Sequence, residues 1–200
     1  MRVRRRAPNT NSIGECVLCG NESAEEQYRL LTSGDPASPV LMIRTVVSPK
    51  EAAEGKLWVD EAGYNFRRMM SDYFVPLSSI CTTVLLRCPR EKILVRHVKH
   101  CKQYVQRVVV KPQWKVIICL GRESMKHVFL RGGTPPSMDV LLGRFVDVPE
   151  ITEAKVTILP EPSALILIDE TDTVDAFRAR AYLMRHALEK LRKEYTKYVR

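Results

Sequence analysis

No apolar run in the sequence approaches the roughly 18 residues that a membrane-spanning helix needs. The longest, such as residues 164–168, are strand-sized. The basic N-terminus has no apolar stretch behind it, so no secretory signal is expected. There is no internal repeat and no low-complexity tract. Glycine is sparse at 9 residues, which excludes a collagen-like chain. Apolar residues at 45% and charged residues at 28% exclude a mostly disordered protein. What remains is one domain of 200 residues with room for an α/β core.

Acidic residues are the other shortage. Against 32 Lys and Arg stand 23 Asp and Glu, for a net charge of +9. The excess is local. Residues 87–131 carry twelve basic groups and two acidic ones. Four arginines also fall within residues 1–6. A concentrated positive field suits a polyanion, most simply nucleic acid. Residues 1–13 read as a disordered basic arm and residues 14–200 as the folded domain.

Four short runs rich in β-branched residues follow, at 40–43, 80–86, 114–120 and 156–159. Continuous apolar runs suit strands buried on both faces, hence a parallel sheet. Helical patterns lie between and after them, at 62–73, 91–110 and 122–130. In a fourth, at 174–195, Val174, Phe177, Ala181, Met184, Leu188, Leu191 and Tyr195 alternate steps of three and four. A terminal helix docking its own sheet accounts for that stripe better than a coiled-coil partner helix. Strands alternating with helices predict a three-layer α/β/α domain with a central four-stranded parallel sheet.

Six cysteines without a secretion signal argue for metal ligands or inert thiols rather than disulfides. Cys16 and Cys19 form a C-x2-C pair. Cys88 follows the second strand, and Cys101 lies on the next helix. Four thiolates suit tetrahedral zinc or an iron–sulfur cluster. His97 and His100 flank Cys101; on a basic helix they are more simply solvated. Cys81 and Cys119 read as buried core residues. A thiol-rich chain belongs in a reducing interior, cytoplasmic or nucleoid-associated, though the Arg-rich arm leaves room for an organelle.

The order is C-x2-C, strand, Gly55-Lys-Leu-Trp-Val-x-x-Ala-Gly63, a strand ending in Cys88-Pro89, then Cys101. Lys111-Pro-Gln-Trp-Lys-Val-Ile-Ile-Cys-Leu-Gly121 follows. Together these segments resemble the iron–sulfur uracil-DNA glycosylases of the family 4 and 5 type, over nearly the whole chain. The resemblance implies a uracil-DNA glycosylase-like fold and a [4Fe-4S] cluster on Cys16, Cys19, Cys88 and Cys101, with zinc as the alternative. It places Trp58 where an aromatic stacks on the flipped base. It also places Ser163, within Pro162-Ser163-Ala164-Leu165, in a loop that touches DNA.

The family's reactive positions differ here. Thr45, within Arg44-Thr45-Val46-Val47-Ser48, stands where the family has a glycine-rich water-placing motif, of which Ser48-Pro49 is a possible remnant. Thr83 stands for an Asn that reads the uracil edge. Glu161, in Glu161-Pro162-Ser163, stands for a His that stabilises the leaving anion, which a carboxylate would repel. Base excision needs a flipped base, a stabilised leaving group and a placed water.

Three readings stay open. The first is a non-catalytic iron–sulfur protein that binds nucleic acid, DNA before RNA, or serves in a larger nucleoprotein or replication assembly. In it Arg87, Arg90, Lys92, Arg96, Lys99 and Lys102 contact phosphates. The second is an active glycosylase, on uracil or another damaged base, with Thr45 or Glu161 placing the water. The third is an unrelated zinc-stabilised α/β binding protein.

Overall fold

A computed structural model describes residues 32–73, 76–89, 93–129, 142–165 and 174–198. The N-terminal arm, Cys16, Cys19, Arg90 and Lys92 lie outside the described residues. The chain builds β1 (Thr32–Ser33), β2 (Val40–Val46), α1 (Pro49–Glu54) and α2 (Glu61–Asp72). β3 (Cys81–Leu86), α3 (Val95–Val109), β4 (Val116–Leu120) and α4 (Gly121–Phe129) come next. β5 (Val146–Val148), β6 (Thr152–Leu159), a 3-10 turn (Pro162–Leu165) and α5 (Val174–Tyr198) complete it.

One six-stranded sheet has the order β1-β3-β2-β4-β6-β5. Its centre is the expected parallel set, β3-β2-β4-β6. The sequence reading lacked the two edges. There β1 and β5 pair antiparallel to β3 and β6. Both are short and partly exposed, so neither carries an apolar run.

Alternate residues of the parallel strands feed two cores. Val40 and Met42 of β2 face Phe66 and Met70 of α2, with Met184, Leu188 and Leu191 of α5. Leu41 and Ile43 face Val105 and Val109 of α3, with Met125 and Val128 of α4. The α5 stripe therefore docks its own sheet, from Met184 to Tyr195. The Tyr195 hydroxyl is 2.9 Å from Ser79 Oγ, pinning the far end of the helix.

The connection after β2 lies on the α2 face, and those after β3 and β4 lie on the opposite face. The strand order thus reverses between the adjacent, parallel β2 and β4, with β2 leading to β3 on one side and β4 to β6 on the other. In open α/β sheets the crevice beyond the carboxyl ends at such a point is where ligands bind.

Candidate functional site at the carboxyl edge of the sheet

Thr45 stands near the end of β2, Leu120 ends β4 with Gly121 next to it, and Glu161 follows β6. The Thr45 hydroxyl lies 2.8 Å from Glu161 Oε2, 3.0 Å from the Leu120 carbonyl and 3.1 Å from Ser124 Oγ. Ser124 Oγ donates to the same carbonyl at 2.5 Å. One hydroxyl has one proton. Toward an ionised Glu161, Thr45 must donate. A protonated Glu161 instead donates to Thr45, which then turns to Leu120.

The site has no room for a side chain at position 121. Gly121 has φ +81, and a Cβ there would meet Glu161 Oε2 at 2.7 Å and Thr45 Oγ1 at 3.2 Å. Burial pushes the Glu161 carboxyl up to about 7, against the pull of Arg44 and of the Thr45 hydrogen bond. Glu51 adds to the rise. A carboxyl poised near neutrality beside a hydroxyl can give or take a proton.

Sequence reasoning missed the neighbouring ion pair. Arg44, 4% exposed, binds Glu51, which is wholly buried. Its Nε is also 3.9 Å from Glu161 Oε1. Ser48-Pro49 starts α1. Ser48 Oγ accepts from the Glu51 amide and the Glu51 carboxylate accepts from the Ser48 amide, a capping box with Pro49 beside it. The Ser-x-x-Glu spacing carried that signal. The demand of a buried acid for a cation was the clue to Arg44.

Trp58 is a core residue here, 3% exposed, rather than an open stacking platform. The Arg44 guanidinium lies 4.5 Å from its ring centre, and Phe66 stacks on it at 5.2 Å. Its amide donates to Glu51 Oε1 at 2.5 Å, and Arg67 donates to its carbonyl at 3.2 Å. These bonds hold Trp58 at φ +69, a left-handed conformation that costs a bulky residue about 1–3 kcal/mol. Gly63 makes room, since a Cβ there would meet Trp58 Cα at 2.5 Å.

Of the other motif positions, Thr83 is buried within β3, in register with Ile43 of β2, two residues before Thr45. Ser163 is exposed in the 3-10 turn. Among the cations, Arg96 and Lys99 are exposed on α3 and Lys102 is half-buried. Arg87, expected at a phosphate, is buried, with its guanidinium 4.0 Å from the Tyr104 ring centre.

Cys88 is half-buried just after β3, and Cys101 is buried in α3, which packs on β3. Among the described residues no three potential ligands converge. His97 is buried, with Nδ1 accepting from the Leu94 amide at 3.4 Å in the first turn of α3. Cys81 and Cys119 are buried as expected, and burial pushes both thiols up.

No helix among the described residues is long and apolar enough to cross a membrane. No curated protein matches the chain. The model of the uracil DNA glycosylase superfamily matches residues 32–192. That match runs from β1 into α5 and takes in the whole carboxyl edge, so the chain belongs to the uracil DNA glycosylase superfamily.

Proposed function

We propose that this chain binds DNA through the superfamily fold without excising bases, alone or as a subunit of a nucleoprotein assembly. The observation that carries this reading is the Arg44–Glu51 pair seated on Trp58. A base directed at that ring meets a guanidinium bound to a wholly buried carboxylate. Breaking a buried pair by removing one partner costs about 3–5 kcal/mol. Glu161 adds a carboxyl where a developing anion would need a donor. Exposed Arg96 and Lys99 on α3, with Lys102, support phosphate contact.

The test is an excision assay on uracil-containing single- and double-stranded DNA, followed by alkali. No strand cleavage is expected, together with salt-dependent binding of the same DNA. Robust abasic-site formation that is lost in Glu161→Ala would establish the second reading, an active glycosylase. One observation favours that alternative, the Glu161 carboxyl held near 7 against the Thr45 hydroxyl.

The proposal includes a [4Fe-4S] cluster on Cys16, Cys19, Cys88 and Cys101, with zinc as the alternative. Four thiols are a donor set that either group takes, and two of them, Cys88 just after β3 and Cys101 in α3, come from elements that pack on each other. When bound, the group supplies a cross-link between the N-terminal segment and that region. Anaerobically purified protein is expected to be brown, with iron and sulfide in equal amounts. Colourless protein with one bound zinc would replace the cluster with the ion.

A further inference from the structure

A cleft of about 650 Å³ lies between α2 and α5, on the sheet face opposite α3. We infer that this cleft takes single-stranded nucleic acid, as a second surface distinct from α3. The inference rests on the DNA-binding reading above and adds where a single strand would lie.

The walls carry cations. Arg68 of α2 and Arg185 of α5 line the cleft and are exposed, against one lining acid among the described residues, Asp72. Half-buried Tyr73 and Phe177 give it an apolar floor. Two large rings stand in solvent beside these arginines. Tyr64 is 57% exposed, one turn before Arg68, and Tyr182 is 68% exposed, one turn before Arg185. The Arg67 guanidinium lies 5.9 Å from the Tyr64 ring centre. The His186 ring is parallel to Tyr182 at 6.2 Å.

Exposed rings alternating with cations match the chemistry of a single strand, in which bases offer open π faces and each linkage offers a charge. A duplex keeps its base faces stacked and gives the tyrosines nothing to cover. Location supports the same occupant. The Pro162–Leu165 turn packs against both helices, joining the cleft to the carboxyl edge that holds Thr45 and Glu161.

The test measures binding of the full chain to a fluorescent oligothymidine and to a duplex of equal length, by anisotropy against salt. Arg68→Ala/Arg185→Ala is expected to weaken single-strand binding about tenfold and to flatten the log–log salt slope by about 1.4, the value for two phosphates. Tyr64→Leu/Tyr182→Leu is expected to weaken it about tenfold with the slope unchanged. Arg96→Ala/Lys99→Ala on α3 is the comparison, expected to weaken duplex binding more than either cleft variant. All six side chains are exposed, and an unchanged thermal midpoint checks each fold.

Single-strand affinity unchanged in both cleft variants overturns the inference. If the wild type binds DNA and only the α3 variant weakens it, the cleft falls alone. If the wild type binds no DNA, the DNA-binding reading falls with it. Polyglutamate binding that the cleft variants abolish, beside unaltered single-strand binding, assigns the cleft to an acidic protein segment and also overturns the inference.

Discussion

Arg44 sits between two carboxylates of different character. Glu51 is fixed by its cap and by the Trp58 amide, whereas Glu161 is held by Thr45, through its hydroxyl and its backbone. Removing the cation in Arg44→Ala leaves Glu51 buried and uncompensated. A loss of about 3–5 kcal/mol is expected, read as a drop in the urea midpoint. The paired change Arg44→Met/Glu51→Gln is expected to recover part of it, because the orphan charge goes too. The carboxyl edge also sets a pH dependence. Glu161 ordinarily titrates near 4.5 and here near 7, so the folded state holds more protons between those values. Its stabilisation is full below about 4.5 and is lost as pH rises toward about 7. His127 works the opposite way. Burial lowers it from 6.5 to about 4, so its stabilisation is full above about 6.5 and is lost as pH falls toward about 4. Unfolding measured at pH 5 and pH 7 separates them: Glu161→Gln should make stability rise more steeply with pH across that interval, and His127→Leu less steeply.

At the scale of elements, α1 has only six residues and depends on its ends. Ser48→Ala is expected to cost about 1 kcal/mol by chemical denaturation, through the lost cap. The effect reaches the site because α1 carries Glu51. The parallel strands were legible because burial on both faces leaves an unbroken apolar run, as in residues 116–120. The edges were not, because β1 and β5 bury too little to leave a pattern. Helix α5 was legible from its stripe, whose later positions are core. Its first part is different: Phe177 and Ala181 line the cleft instead. At the carboxyl edge the sequence marked Thr45 and Glu161 as changed positions, and they meet at 2.8 Å. It did not reveal that Arg44 covers Trp58, since residues fourteen apart, one on β2 and one in the turn before α2, leave no period to read.

Across the whole molecule, charge and core are arranged in layers. One helical layer presents Arg96 and Lys99, and the other presents Arg68 and Arg185. The proposed metal would tie the N-terminal segment to the first of these. Stripping it is expected to lower the thermal midpoint before it weakens DNA binding at low temperature, a sequence that melting and anisotropy on the same sample would reveal. The layering has a further consequence, because the chain has only two tryptophans and each belongs to a different core. Trp58 sits under α2, whereas Trp114, bonded through its indole to the Val108 carbonyl at 2.6 Å, sits under α3. The protein therefore contains its own pair of fluorescent reporters, one per layer. With Trp114→Phe and Trp58→Phe, each side of the sheet can be watched separately as it melts. Coincident transitions would mean that the sheet makes the two layers one cooperative unit.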